Sequence, residues 1–330
     1  MKRVFSGVQP SGTLTIGNYL GAIKQFVRLQ ETHECFYCVV DLHALTVPQD
    51  PERLGRQTLQ VAAMMVASGL DPDKMTLFVQ SHVRAHAELS WLLQCMTYYG
   101  ELGRMTQFKD KARRQKHATV SAALFTYPVL QAADILLYDT HLVPVGEDQR
   151  QHLELTRDIA ERFNNRYGET FVVPEVYIPR TGGRIMSLDN ASTKMSKSNP
   201  NPGSYIALLD EPDVIREKIG RAKTDSGREV RYDPEEKPEI SNLLTIYSLC
   251  SGRSIEDIEA EYEGRGYKDF KGGLAEAVIA TLRPVQEAYH ELMESGAIRE
   301  ILDRGADRAR EIAETTLDRV KDRMGLVPRL

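Results

Sequence analysis

Cysteine is scarce, with four in 330 residues. So few thiols cannot staple a chain of this length. A disulfide framework is excluded and a reducing compartment, the cytoplasm, is expected. Long apolar runs are missing too, and none approaches the length of a membrane span. The opening Met1-Lys2-Arg3-Val4-Phe5 reaches polar residues too soon for a secretory leader. A net positive charge is lacking. With a formal net charge of −5, any nucleic acid must be met through a local basic patch, not through the field of the whole chain. Two phosphate-binding fingerprints are also absent. There is no G-x-x-x-x-G-K-[ST], which excludes a P-loop enzyme, and no G-x-G-x-x-G follows a strand.

The chain does have a hydrophobic share of 42% and a charged share of 27%, the balance of a soluble globular protein with a sizeable core. Its length leads us to expect two domains. Val4-Phe5, the run ending at Asp41-Leu42-His43-Ala44, Thr76 to Gln80, Leu142 to Val145 and Val176 to Ile178 read as strands. Helical patterns lie between them, at Tyr19 to Leu29 and Pro51 to Ser68 among others. Such alternation predicts an α/β fold, a doubly wound parallel sheet. From Pro212 onward the pattern is of charged helices only, which predicts a second, all-helical domain.

The stretch that organises the N-terminal half is Gln9-Pro10-Ser11-Gly12-Thr13-Leu14-Thr15-Ile16-Gly17-Asn18, a strand–turn–helix junction. A helix N-terminus offers free N–H groups and partial positive charge to an anion, and Gly17 would let a flat ligand approach the backbone. An ordinary turn with Asn18 as helix cap fits equally well. Gln131 and Asp134 fall on a largely apolar helix, Tyr127 to Tyr138. A buried carboxylate there needs a donor, either a ligand N–H or O–H or an internal arginine. The basic run Gln107 to His117 and the lysines of Lys194-Met195-Ser196-Lys197-Ser198 are each explained, taken alone, by solvent-facing charge. Beside a phosphate site they would neutralise a leaving group. The flanks of the second stretch, Asp189-Asn190 and Asn199-Pro200-Asn201-Pro202-Gly203, mark an exposed, mobile loop. Cys35 and Cys38, three apart on a strand, face opposite sides and read as core residues, not as a metal site. His82 and His86 have i, i+4 spacing but lack the glutamate of a zinc helix, and are read as non-metallic. No bound metal is expected.

Taken together these stretches carry a resemblance. Pro10-Ser11-Gly12 with Thr15-Ile16-Gly17-Asn18 is similar to the HIGH motif of class I aminoacyl-tRNA synthetases, and Lys194 to Ser198 is a literal KMSKS. The chain resembles bacterial and mitochondrial tryptophanyl-tRNA synthetases from end to end. The shared stretches include Asp41 to Ala44, Met105 to Lys109, Ala132 to Tyr138, Val143 to Gln149 and Ile240 to Leu244. The resemblance implies a Rossmann-like catalytic domain over 1–190, with a helical insertion around 82–125. It implies a mobile KMSKS loop over 191–205 and a helical anticodon-binding domain over 206–330 whose last helix packs back on the first. It also implies activation of L-tryptophan by ATP with Mg2+, transfer to tRNA-Trp, and a cytoplasmic homodimer that binds neither membrane nor DNA.

By the same resemblance Gln9, Pro10, Ser11, Gly17 and Asn18 hold adenosine and phosphates, with Thr15 and Asn18 in the catalytic turn. Lys111, Lys194 and Lys197 clamp pyrophosphate, with Met195, Ser196 and Ser198 in the loop beside it. Gly146, Glu147 and Asp148 line the ribose and Ile185 the adenine. Asp134 accepts the indole N–H, and Gln149 and Tyr127 hold the amino group. Phe5, Gly7, His43, Gln131 and Val145 complete the tryptophan pocket. The sequence departs from the family at both HIGH histidines, replaced by Thr15 and Asn18, and at Leu42, Gln131 and Asn199. A tyrosyl-type synthetase and a non-catalytic binding paralogue are the rival readings.

Overall fold

The computed structural model describes residues 1–108, 121–144, 146, 149–177 and 184–328. Lys111, Val145, Glu147 and Asp148 lie outside these residues, as does most of the basic run. Five parallel strands, β1 (Arg3–Val8), β2 (Glu34–Val39), β3 (Met75–Val79), β4 (Leu142–Pro144) and β5 (Glu175–Tyr177), stand in the order β3-β2-β1-β4-β5. Arg3 faces Glu34 across β1 and β2, and Val39 faces Val79 across β2 and β3. The chain therefore winds outward from β1 one way, then returns to place β4 on its other flank. In such a sheet ligands collect beyond the C-terminal ends of the strands where the winding reverses. That point lies beside the turn after β1.

Alternation along the strands divides the interior. Val4, Cys35, Tyr37 and Leu77 point to one face; Phe5, Phe36, Cys38 and Phe78 point to the other. The two cysteines are buried on opposite sides, as their spacing requires. The first face is covered by the helix that opens at Ile16 and by α4 (Pro51–Ala67). That helix runs as α1 (Ile16–Asn18), a wider turn over Tyr19–Ile23, and α2 (Lys24–Leu29). The second face is covered by α5 (Ala85–Gln94), α7 (Ala122–Leu136) and α8 (Arg150–Tyr167). Between β2 and α4 lies α3 (Asp41–Ala44), a single helical turn where the sequence pattern suggested the end of a strand. Between α5 and α7 lies α6 (Tyr99–Gly103).

After residue 205 come α9 (Pro212–Arg221), α10 (Pro238–Ser251), α11 (Ile255–Tyr262), α12 (Tyr267–Ser295) and α13 (Ala297–Met324). Their apolar stripes do not form a separate core. Ile215, Leu243, Leu274 and Leu282 join the cluster of the first face, so the hydrophobic interior runs on through residue 206. The last helix returns to the sheet and lays Ala306, Ala309, Ala313 and Val320 on the second face. Its Gly305 sits so close to β3 that a Cβ there would lie 1.8 Å from the Leu77 carbonyl oxygen. Only glycine allows that approach.

Candidate active site

Beyond the C-terminal end of β1 a cleft of about 670 Å³ opens. The turn that forms one wall begins with Gly12, whose φ of +88° lies in the left-handed region that favours glycine. Thr15, not Asn18, caps the helix. The Thr15 N–H and hydroxyl both donate to Asn18 Oδ1 at 2.9 Å, and Asn18 N–H donates back to Thr15 Oγ1. This is a reciprocal capping box. A backbone N–H can only donate, so the Asn18 amide oxygen is fixed toward Thr15 and its NH2 is left for the cleft. Thr15 itself is buried and does not line the cleft. The turn is further tied down because Ile16 N–H donates to Ile206 O at 2.9 Å and Leu208 N–H to Leu14 O at 2.9 Å.

The Lys194–Ser198 stretch forms the opposite wall. Ser187 N–H donates to Thr193 O and Met195 N–H to Ile185 O, making a short antiparallel hairpin. Lys194, Ser196 and Ser198 are exposed, as the flanks suggested, but Met195 is buried. The reason is Gly17: a Cβ on it would stand 3.4 Å from Met195 Cβ and 3.6 Å from Ile185 Cβ, so loop and turn touch through the glycine. Lys197 reaches across to the start of the same turn, its Nζ 3.1 Å from where a Gly12 Cβ would be. Burial lowers the Lys197 pKa.

The other end of the cleft is built around Asp134, on α7 and 1% exposed. Its donor is neither an arginine nor, in the first place, a ligand. Oδ1 accepts from Gln80 Nε2 at 2.7 Å and from His86 Nδ1 at 2.6 Å, and Oδ2 from His43 Nε2 at 2.7 Å. Burial alone would raise the carboxyl pKa. The charge and hydrogen bond of His43, then those of His86, outweigh it and hold Asp134 well below the usual carboxylate range. Tyr127 donates to Gln107 Oε1 at 3.1 Å and pairs with His152 Nε2 at 2.8 Å; burial pushes its phenol up to about 12.

Phe5, Gly7, Gln9, Ser11, Asn18, His43, Tyr127, Gln131, Asp134, Gly146, Gln149 and Lys194 to Ser198 all line this one cleft. Pro10, Thr15, Gly17 and Ile185 do not line it, although Thr15, Gly17 and Ile185 shape its walls from behind. Sequence reading missed Gln80, His86, Tyr138, Gln107 and His152. One signal for Gln80 was available. It follows β3 directly, and a polar residue at the C-terminal end of a parallel strand sits where such sheets bind ligands. Among the described residues no group of three or more histidine, cysteine, aspartate or glutamate side chains could hold a metal ion, and no helix is long and apolar enough to cross a membrane.

The model of class I tRNA synthetases for W and Y matches residues 1–283. The tryptophan–tRNA ligase of Caldanaerobacter subterraneus is 60% identical over 329 residues, covering 100% of each chain. That of Halalkalibacterium halodurans is 58% identical over 325 residues, covering 98% of each. Among solved structures, tryptophanyl-tRNA synthetase from Mycoplasma pneumoniae superposes with a TM-score of 0.89 at 36% identity, covering 99% of this chain and 98% of that one. The Campylobacter jejuni enzyme, complexed with ADP and tryptophan, gives 0.86 at 40%, covering 98% and 100%. Tyrosyl-tRNA synthetase from Aeropyrum pernix matches at 22% identity and shares the fold alone. A cleft that joins the turn after β1, the KMSKS hairpin and a buried carboxylate, in a chain this close to these relatives along its whole length, belongs to the class I tRNA synthetases, on their tryptophanyl branch.

Proposed function

We propose that the residues of the cleft divide the work of a tryptophan–tRNA ligase between its two ends. The reaction joins L-tryptophan to ATP, giving tryptophanyl-adenylate and pyrophosphate, and then passes the acyl group to the terminal adenosine of tRNA-Trp. The observation that carries the assignment is the confluence of Asn18, Lys194, Lys197 and Asp134 on one cavity wall system. In-line attack of the tryptophan carboxylate on the α-phosphate asks for positioning and charge stabilisation. Lys194 and Lys197 stabilise the departing pyrophosphate, and Lys111 joins them on the family pattern. The Asn18 NH2, held outward by Thr15, donates to phosphate oxygens. Such a contact contributes up to about 3 kcal/mol in the transition state, and about 1 kcal/mol where the lysine is exposed to water, as Lys194 is. Gln9 and Gly146 receive the nucleoside, with Gly17, Glu147, Asp148 and Ile185 assigned beside it on the family pattern. Asp134 accepts the indole N–H. Tyr127 and Gln149 hold the ammonium group, and Phe5, Gly7, His43, Gln131 and Val145 enclose the ring.

Mg2+ enters with ATP as part of the substrate, since this ion is commonly held through substrate phosphates and water instead of an all-protein cage. The helices after residue 205 are assigned to anticodon binding and the 191–205 loop to closure over ATP. A homodimer is part of the same reading, supported by three large aromatic side chains left exposed near α5 and α6: Trp91, Tyr98 and Tyr99. A cytoplasmic location is supported by four free cysteines. Amino-acid-dependent ATP–pyrophosphate exchange, run with tryptophan and tyrosine in parallel, tests the assignment. Exchange with tryptophan alone is expected; exchange with tyrosine alone, or with neither, overturns it.

A further inference from the structure

Asp134 is a short carboxylate that would rotate freely were it not held. Two of its donors do not line the cleft. Gln80 and His86 are both fully buried, and both bond Oδ1. The Gln80 amide is fixed in turn, because its Oε1 accepts the Leu42 N–H at 3.1 Å. A carboxylate only accepts, so His86 Nδ1 carries a hydrogen. Its Nε2 pairs with the Tyr138 hydroxyl at 2.8 Å. Tyr138 is itself locked in a stack with Phe5 and Phe36, ring centroids 5.5 and 5.0 Å away. His43, which does line the cleft, is the donor to Oδ2 among the described residues. Oδ1 thus has both acceptor positions filled from the buried side, and Oδ2 keeps one toward the cavity.

We propose that His86, braced by Tyr138, is a positioning residue for amino-acid selection: together with Gln80 it saturates Oδ1 and so turns the open position of Oδ2 to the substrate ring N–H. The proposal rests on the reading of Asp134 as the indole acceptor. It also gives His86 a role that its spacing from His82 does not reveal. The histidine acts through the carboxylate and does not touch the substrate.

The test is pyrophosphate exchange with tryptophan and with β-(3-benzothienyl)alanine, in which sulfur replaces the ring N–H. It uses the wild type, His86→Leu, His86→Asn and Tyr138→Phe, with the KM for ATP as control. The wild type should prefer tryptophan by about 10⁴-fold in kcat/KM. In His86→Leu that ratio should fall by about 10- to 100-fold, the worth of one hydrogen bond to a charged group, while the KM for ATP is unchanged. His86→Asn keeps a donor near Oδ1 and should recover most of the ratio. A His86→Leu enzyme that loses activity toward both amino acids alike, with the ratio intact, overturns the proposal. Should that variant fail to fold, Tyr138→Phe decides, because it preserves the ring stack. A lowered ratio supports the role of His86, and an unchanged one removes it. A wild type that uses both amino acids equally would remove the role of Asp134 itself, and with it the proposal.

Discussion

Asp134 and Lys197 both bring charge to the same cleft, and the protein surrounds them differently. The carboxylate meets three protein donors, two of them fully buried, and is held by them before any substrate arrives. The lysine is half-buried at the start of a glycine turn, its pKa lowered by burial, and makes no ion pair among the described residues. One end is rigid and complete; the other gathers cations around a space. Selecting one ring among similar rings needs a donor–acceptor geometry that does not yield. Stabilising charge that appears only during reaction needs cations not already committed to protein partners.

The comparison breaks first at Asp134. Asp134→Asn puts an amide among three donors, and should cost about 3–5 kcal/mol of stability in urea denaturation, besides abolishing tryptophan-dependent exchange. A carboxylate whose pKa is depressed in the fold stabilises above its unfolded value of about 3.9, and that contribution is lost as pH falls through the folded value. The stability gap between wild type and Asp134→Asn should therefore hold steady from neutral pH down to about 4 and close below it. A gap that closed already at about pH 6 would mean the carboxylate is not held ionised. The next largest effect belongs to Lys197→Ala. Exchange should fall by about 10²–10³ with tryptophan binding by calorimetry unchanged, and the melting temperature should barely move. A large loss of stability in that variant would erase the distinction between the two ends. Lys194 is exposed, so Lys194→Ala should reduce exchange only about fivefold, and added salt should shrink the difference. The smallest effect is in alkaline solution. A lysine whose pKa burial has lowered costs stability while charged, and the cost is relieved as pH rises through its folded value toward about 10.4. Wild type should therefore gain slightly on Lys197→Ala as the buffer is taken from about pH 8 to about pH 10.

Much of the wall formed by the turn after β1 and the Lys194–Ser198 hairpin was legible in the sequence because its parts are local. Gly17 opens a helix directly after a strand, and Lys194 to Ser198 lies between turn-forming flanks. The sheet was legible for the same reason, since each strand announces itself within a few residues. The end of the cleft around Asp134 was half legible. Asp134 stood out as a charge on an apolar helix, but its partners Gln80 and His86 lie 54 and 48 residues away and carry no local mark of the contact. The i, i+4 pair drew the eye to His82, which is exposed, while its neighbour one turn on reached the carboxylate. Thr15 orients Asn18 from within the turn and does not face the cleft, which its place in the motif does not reveal. Nor does local pattern reveal that helices after residue 205 share an interior with the sheet, because an amphipathic stripe says that a face will be covered and not by what.

The close seat of Gly305 on β3 also bears on how the chain reaches its fold. Outer strand and covering helix are far apart in the chain; Arg310 meets the His82 carbonyl across 228 residues. A ribosome emits β3 more than 200 residues before α13. Throughout synthesis the outer strand of the sheet is therefore without the helix that will cover it, and an uncovered strand edge is a template for pairing with another chain. The final helix thus closes the sheet late. Chains that terminate before Gly305 should collect in the insoluble fraction even though every residue of the cleft has already been made.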